Sequence, residues 1–294
     1  MRIGAQVSVA GGVTKAFDRA VELGADSMQI FALSPRQWKS AAPPDEVLEA
    51  FRQIAADHST VKGTYCHASY LINLATGNDA LKEKSFECLV GHLAVATGLG
   101  AEGVVLHIGS HLGAGIDAVM DRIAEALVGA LDAATLRVGE PSAKILIENT
   151  AGAGGTVGRS FEELAAIIDA TGNDERIGVC MDTQHLFASG VSYETPAKAD
   201  AVIREIKGTV GLERLSCLHL NDSKVAFGTN RDRHENLGEG EIGANALSYL
   251  LSHPDIQHVP ALLEVPGDGA GPRESDVAVA KKILAKGLRQ RAKS

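Results

Sequence analysis

The sequence lacks the apolar segments that would insert a chain into a membrane or export it. No apolar run reaches the length of a membrane span, and the first eight residues lack the apolar core of a signal peptide. Cysteine is also scarce, and three of the four residues lie in predicted strands; the four are Cys66, Cys88, Cys180 and Cys217. We therefore expect buried, reduced thiols rather than disulfides, and a cytoplasmic protein that does not bind to membranes.

Positive charge is in deficit. The chain has 28 Lys and Arg against 37 Asp and Glu, which gives a formal net charge of −9. Taken alone, this balance argues against a nucleic acid as partner. Metal ions bound to some of the carboxylates would change the sum, so the question depends on whether the sequence encodes a metal site.

Eight apolar, β-rich runs alternate with segments of helical periodicity. The predicted strands lie near residues 2–7, 27–32, 62–67, 103–107, 144–148, 177–182, 214–219 and 260–264. Helix starts are marked by the capping box Ser160-Phe-Glu-Glu163, by Thr195-Pro196, and by Ser275 and Asp276. This pattern predicts an α/β protein, a (β/α)8 TIM barrel in which residues 1–294 form a single domain. The active site of that fold lies at the C-terminal ends of the strands.

An open, doubly wound sheet is the main alternative topology. Its support is the run Gly152-Ala-Gly154-Gly155, which follows a predicted strand. The third glycine of the dinucleotide fingerprint is displaced, because residue 157 is valine, and Glu148 would repel a pyrophosphate. We therefore expect this run to form a loop and the protein to use no organic cofactor.

Six of the predicted strands end in a histidine or carboxylate. Such side chains are costly to bury unless they are paired or bind a metal. Two further clusters, Asp182-Thr-Gln-His185 and Asp232-Arg-His234, have spacings that suit metal binding. The candidate ligands are His67, His107, Glu148, Asp182, His185, His219, Asp232, His234 and Glu264. Nitrogen and oxygen donors fit zinc, manganese or iron, and nine ligands suit two or three ions.

Each of these residues also has a structural interpretation when it is taken alone. A histidine at a strand end is usually hydrogen-bonded, and a carboxylate there often caps the next helix. Asp232 and His234 could belong to a solvated loop. His111 could support the ligands or face a substrate. Cys180 and Cys217 are interpreted as small core residues rather than nucleophiles. The joint pattern favours a metal site. Without a metal, a separate structural role would be needed for every one of these residues, although all of them are predicted to lie on the same rim of the barrel.

The motifs around these residues resemble those of the endonuclease IV family of apurinic/apyrimidinic (AP) endonucleases. The resemblance extends from Gly4 to Glu264 and rests on the motifs Cys-His67-Ala-Ser-Tyr-Leu-Ile-Asn-Leu, His107-Ile-Gly-Ser-His, Ile-Glu148-Asn-Thr-Ala-Gly, Met-Asp182-Thr-Gln-His185, Leu-His219-Leu-Asn-Asp-Ser-Lys and Arg-Asp232-Arg-His234-Glu-Asn-Leu-Gly-Glu-Gly. It implies a (β/α)8 barrel with three zinc ions. His67, His107 and Glu148 would hold the first ion. Glu148 would bridge to the second, which Asp182, His219 and Glu264 would also bind, and His185, Asp232 and His234 would hold the third.

The resemblance also implies an activity. Double-stranded DNA that contains an abasic site would be cut at the phosphodiester 5′ to that site, leaving a 3′-hydroxyl, with Glu148 and Glu264 as catalytic residues. The DNA-binding residues expected are Arg36, Tyr70 and Leu71, which match family segments that enter the DNA at the lesion, and Lys224, Arg231 and Arg233, which lie beside the ligands and can meet phosphates. Three Zn²⁺ would add +6 and change the net charge from −9 to −3.

The sequence departs from the family pattern at Gln6, Ile108, Gln184 and Val265, none of which is a candidate ligand. Two alternative functions stay open. The first is a metal-dependent sugar isomerase or epimerase on a similar barrel. The second is a DNA-damage protein that binds abasic sites without cutting them.

Overall fold

Eight parallel strands close into a barrel in the computed structural model, which describes residues 1–293. Each strand pairs with the next along the chain, and the last pairs with the first. The barrel strands are β1 (Ile3–Gln6), β2 (Met28–Ile30), β3 (Thr64–His67), β4 (Gly103–Leu106), β5 (Lys144–Glu148), β6 (Ile177–Asp182), β7 (Leu215–Leu220) and β10 (Ala261–Leu263). A small antiparallel hairpin, β8 (Asp222–Ser223) with β9 (His234–Glu235), follows β7. The predicted (β/α)8 barrel is therefore confirmed, and the run from Gly152 to Gly155 lies in the loop after β5.

Helices follow the strands and cover the outside of the barrel. They are α1 (Lys15–Glu22), α2 (Asp45–Asp57), α3 (Asp79–Gly98), α4 (Met120–Val138), α5 (Phe161–Ala170), α6 (Thr183–Ser189), α7 (Pro196–Gly208), α8 (Gly243–Leu251) and α9 (Glu274–Arg291). Short 3₁₀ turns span Leu212–Arg214 and Pro254–Ile256. Within residues 1–293, no helix combines the length and apolar character that a membrane crossing requires.

Local capping explains where three of the helices begin. The Ser160 hydroxyl accepts a hydrogen bond from the Glu163 amide, but the Glu163 carboxylate accepts from the Arg159 amide rather than from Ser160, so only half of the predicted capping box forms. Thr195 caps α7 as predicted. The last helix begins at Glu274, one residue earlier than predicted. Its capping residue is Arg273, whose backbone N–H donates to the Asp276 carboxylate.

The barrel interior is filled below its C-terminal rim. Six inward side chains form a closed apolar layer, and they are Tyr65, Val105, Leu146, Cys180, Cys217 and Leu262. The two cysteines therefore act as small core residues, as expected, and all four cysteines are free and buried. Burial raises the pKa of Cys180 well above its usual range, which disfavours a thiolate nucleophile. The layer gives the rim a solid floor.

We predict that Gly287→Ala destabilises the fold. Gly287 lies in α9 where it packs on α8, and a Cβ there would lie 2.1 Å from the backbone oxygen of Ser248. The free energy of unfolding should fall by about 1–3 kcal/mol, because the helices must move apart. Gly91→Ala in α3 is the control, since its new Cβ would meet Leu33 at 3.9 Å; there we expect a gain of about 0.5–1 kcal/mol. Denaturant titrations measure both, and equal stabilities would contradict the packing argument.

Candidate metal centre

Strand alternation places six of the candidate ligands in one layer. Each residue of the apolar floor stands two positions before a candidate ligand in the sequence, as Tyr65 stands before His67 and Leu146 before Glu148. Residues two apart on a strand point to the same side. The ligands at the ends of β3, β4, β5, β6, β7 and β10 therefore face the barrel axis directly above the floor. The structure thus brings together the six strand-end residues that the sequence singles out.

Glu148 lies at the centre of this layer and joins two groups of ligands. Its Oε2 lies 3.1 Å from Nε2 of His107 and 3.6 Å from Nε2 of His67, which makes the first group. Its Oε1 lies 2.9 Å from Nδ1 of His219, which belongs to the second group with Asp182 and Glu264. The Glu264 carboxylate lies 3.2 Å from the same nitrogen. One fully buried carboxylate thus faces two potential ion positions.

The third group forms between α6 and the β8–β9 hairpin. The Asp232 carboxylate contacts Nε2 of His185 through one oxygen and Nε2 of His234 through the other, each at 3.2 Å. Asp182 also approaches this group, because its Oδ2 lies 3.7 Å from Nε2 of His234. His185 is buried, whereas the Asp232 side chain is 55% exposed. All nine candidate ligands therefore lie in one continuous cluster.

The ring orientations of four histidines suit metal binding. Each has one ring nitrogen facing a protein oxygen and the other facing the cluster. His67 Nδ1 donates to the Ala68 carbonyl at 2.8 Å, and His185 Nδ1 donates to the Asn149 carbonyl at 2.9 Å. His219 instead donates through Nε2, and His234 Nδ1 faces the Glu264 carbonyl at 3.4 Å. Hydrogen bonds of this kind fix which nitrogen of a metal-binding histidine is free to act as ligand.

Unpartnered atoms also fit bound cations. Among residues 1–293, Nε2 of His67 is buried without a hydrogen-bond partner, and Oε2 of Glu148 and Nε2 of His234 have ionisable neighbours at 3.1–3.2 Å but form no hydrogen bond with them. These are ligand atoms that face the cluster. Buried polar atoms are rarely left without a partner unless an ion or a water satisfies them. The residues present therefore fit the ions that the sequence predicts.

The charges point in the same direction. Burial opposes protonation of His219, but the Glu264 and Glu148 carboxylates prevail and raise its pKa to about 10. Burial opposes protonation of His234 as well, yet Asp182 and Asp232 raise its pKa to about 9. Carboxylates that stabilise protonated histidines this strongly create a negative potential, which also attracts metal cations.

Three amide side chains support the ligands and were not predicted from the sequence. Gln29 accepts from His219 Nε2 at 2.9 Å and donates to the Glu264 carboxylate at 2.6 Å. Asn149 holds both backbone groups of Asp182, and Asn221 donates to the Asp182 carboxylate at 2.7 Å. Asn149 and Asn221 lie inside the quoted motifs, and Gln29 is a polar residue within an apolar strand. Those positions are the signal that could have identified them.

The predicted DNA-binding residues lie on loops at the same end of the barrel. Tyr70 is 57% exposed, and its ring centroid lies 5.2 Å from that of His67. Its amide donates to the Pro35 carbonyl, which ties this loop to the one that carries the exposed Arg36. Leu71 is half-buried beside it. The exposed cations Lys224, Arg231 and Arg233 lie on the connection between β8 and β9.

The four departures from the family pattern are uncharged residues. Three of them adjoin a candidate ligand in the sequence, and Gln6 contacts the supporting residue Gln29. Gln6 accepts from the Gln29 amide at 2.9 Å, so it reaches the cluster through Gln29. Ile108 and Val265 are buried in the core. Gln184 donates to Ser223 and to the Arg231 carbonyl. His111 accepts from the amides of two glycines in its own loop, which indicates a structural role there.

Comparisons with known proteins agree with this architecture. A family model described as a xylose isomerase-like TIM barrel matches residues 17–286. The chain is 42% identical to a probable endonuclease 4 from Oleidesulfovibrio alaskensis, over 96% of this chain and 94% of the relative. It is 34% identical to the crystal structure of endonuclease IV from Thermus thermophilus, over 99% of this chain and 100% of that chain, with a TM-score of 0.81. A D-tagatose 3-epimerase-like protein matches at 18% identity over 98% of this chain and 97% of that chain, with a TM-score of 0.70.

These matches differ in what they show. The match at 18% identity shows a shared barrel and nothing about chemistry. The matches at 42% and 34% identity extend over nearly the whole of both chains. They therefore span the strand ends and the hairpin that carry the nine candidate ligands.

We predict that Gln29→Leu weakens metal binding. The substitution removes the partner of His219 Nε2 and a donor to Glu264 while keeping a side chain of similar size. Affinity for Zn²⁺ should fall by about 10- to 100-fold, as for other residues that orient metal ligands. Chelator competition measures this affinity. Gln6→Leu is the comparison, because it leaves both of those Gln29 contacts in place and should cost less; equal affinities of wild type and Gln29→Leu would exclude this role.

Proposed function

The chain belongs to the endonuclease IV family, and we propose that it is a zinc-dependent DNA-repair enzyme that cuts double-stranded DNA at abasic sites. The reaction proposed is hydrolysis of the phosphodiester 5′ to the abasic site, which leaves a 3′-hydroxyl. The observation that carries this proposal is the single cluster of nine nitrogen and oxygen ligands around buried Glu148. The full-length likeness to endonuclease IV proteins supports it.

The family is metal-dependent, and we propose three zinc ions for this chain. The three groups of ligands, with Glu148 shared between two of them, support that number. Histidine and carboxylate donors suit zinc, although they also suit manganese and iron. We propose His67, His107 and Glu148 for the first ion and Glu148, Asp182, His219 and Glu264 for the second. The third ion would lie among His185, Asp232 and His234.

The protein's own residues would act by placement and charge. Glu148 would fix the separation of the first two ions, because its two oxygens face different groups of histidines. Glu264 would be held in place by Gln29 and by the Asn221 amide oxygen, which accepts from the Glu264 N–H. When bound, zinc ions supply a nucleophile at neutral pH and offset the negative charge that develops on a phosphodiester. Lys224, Arg231 and Arg233 would bind flanking phosphates.

Recognition of the lesion would come from the loops after β2 and β3. An abasic site leaves a gap in the base stack, and opening the duplex there costs less than at a paired base. Apolar and planar side chains can fill such a gap. Tyr70 is exposed directly above His67, and Leu71 and Arg36 lie on the same pair of loops. We propose that these three residues contact the DNA at the lesion.

The alternative functions are less well supported. A sugar epimerase needs one or two metal ions and an enclosed sugar pocket, and it does not explain the additional ligands Asp232 and His234. Exposed Tyr70 and the cations beside the ligands suit an extended polyanion better than a sugar. A protein that only binds abasic DNA would not need this many metal ligands, and a nicking assay distinguishes it directly.

We further propose that residues 1–294 form one domain, and that the protein acts in the cytoplasm, where its four free thiols would stay reduced.

Nicking of a duplex with one abasic site tests the proposed function. Purified protein should cut 5′ to the site and leave an end that a polymerase can extend. Glu148→Gln should lower turnover by about 100-fold or more, because the charge shared by two ion positions is lost. Glu102→Gln makes the same chemical change at the opposite end of the barrel and should have no effect. Near-normal cutting by Glu148→Gln with normal zinc content would remove Glu148 from the mechanism.

The double substitution Tyr70→Ala with Leu71→Ala separates lesion recognition from chemistry. Cutting of abasic duplex should fall by about 10-fold or more, since an aromatic side chain that stacks on a base contributes roughly 1–3 kcal/mol. Hydrolysis of a small phosphodiester and zinc content should not change. Leu136→Ala, which truncates an exposed side chain on α4, serves as control. Equal losses on both substrates would instead assign these residues to the support of the fold or the metal site.

A further inference from the structure

The third group of ligands is assembled from two separate parts of the chain. α6 supplies His185, and the segment that ends in the hairpin strand β9 supplies Asp232 and His234. The six ligands at strand ends have the barrel to hold them, but this group depends on how the hairpin docks onto α6. The contacts between α6 and the hairpin therefore determine whether an ion position exists there.

The hairpin has little structure of its own. Its paired strands are two residues each, with Asp222 opposite Glu235 and Ser223 opposite His234. Residues 224–233, which connect the strands, are mostly exposed, and the Asp232 side chain is 55% exposed. A single two-stranded hairpin is marginally stable in water. Its position must come from contacts outside it.

Gln184 provides the contact closest to the ligands. This side chain is fully buried on α6, next to His185. Its Nε2 donates to the Arg231 carbonyl at 2.9 Å and to the Ser223 hydroxyl at 3.3 Å. Arg231 immediately precedes Asp232, and Ser223 pairs with His234. One amide group thus holds both sides of the hairpin beside the two ligands.

The orientation of this amide is determined by its partners. A carbonyl can only accept, so the Gln184 nitrogen must face Arg231, because the reverse orientation would place two acceptors together. Its Oε1 is then buried without a hydrogen-bond partner among residues 1–293. An unsatisfied buried acceptor is unfavourable. The residue is therefore present for its donors, and packing alone would be better served by an apolar side chain.

Two other contacts hold the far part of the connection. The Gly228 amide donates to the Phe187 carbonyl at 3.2 Å, and the Asn230 amide donates to the Ala188 carbonyl at 2.8 Å. The rings of Phe187 and Phe227 also pack edge to face. These contacts lie further from Asp232 along the chain, and they offer amide protons that report on docking.

We propose that Gln184 is a positioning residue that holds the β8–β9 hairpin against α6 and so creates the third ion position. This inference rests on the proposed function, since it assumes three ions. Without the Gln184 donors, Asp232 and His234 lose the nearest of the contacts that tie the hairpin to α6. The first two ion positions, whose ligands stand at strand ends, should not depend on it.

Zinc release from Gln184→Leu tests this role. The variant keeps a similar volume but has no donor. Chelator-driven release from the wild type should account for three ions, and in the variant one ion should leave about 10- to 100-fold faster while two keep the wild-type rate. Gln257→Leu is the matched control, because it removes an amide that donates to two backbone carbonyls away from the cluster. If Gln184→Leu does not fold, Gln184→Met, which is unbranched and adaptable, takes its place.

Hydrogen exchange of the metal-free proteins gives a second readout that does not involve activity. The amides of Gly228 and Asn230 should exchange faster in the Gln184 variant than in the wild type, because the hairpin undocks more often. The proposal would be overturned if the Gln184 variant held three ions, released them at the wild-type rates and showed unchanged exchange at these amides. That result would leave the proposed function intact. A wild type that holds fewer than three ions would overturn the third position itself, and with it the proposed metal number.

Discussion

Burial of the Glu148 carboxylate is the constraint on which the rest of the site depends. An ionised carboxylate with no exposed surface is unstable unless positive charge lies beside it. Four histidine rings surround it, His67 and His107 on one oxygen and His185 and His219 on the other. The rings can offset this charge only by taking up protons or by binding cations, and His185 and His219 also face further carboxylates. The hydrogen bonds that orient the rings of His67, His185 and His219 leave the other ring nitrogen facing the cluster, as cation binding requires.

The net charge of −9 does not exclude DNA, because charge is distributed unevenly. Four of the carboxylates belong to the cluster, where bound cations would compensate them. Around the cluster, the rim presents Arg36, Lys224, Arg231 and Arg233 to solvent. A polyanion responds to the local field and not to the sum over the chain. The same composition that argues against a nucleic acid from the sequence alone is therefore compatible with binding at this end of the barrel.

The sequence predicts the parts of the structure that depend on local pattern. Eight apolar runs and a polar residue at six strand ends were sufficient for the barrel and for the composition of the cluster, because side-chain alternation determines which face each residue occupies. The supporting contacts could not be predicted in the same way. Gln29 and Glu264 are 235 residues apart, and they meet because β1, which pairs with β2 on one side and β10 on the other, closes the barrel between them. Gln184 is recognisable in the sequence as a departure, but its partners depend on how a short hairpin folds back onto α6.

The two kinds of support imply different costs of binding an ion. Ligands at the ends of barrel strands are held in place before any ion arrives, so binding there orders little of the chain. Asp232 and His234 stand on a hairpin of two-residue strands, and an ion that binds them must also restrict the hairpin. Part of the binding free energy of that ion is therefore lost in ordering the hairpin, unless contacts with α6 already hold the hairpin in place. The third position thus combines the most exposed carboxylate of the cluster with the least rigid support, and it lies next to the cations that would meet DNA.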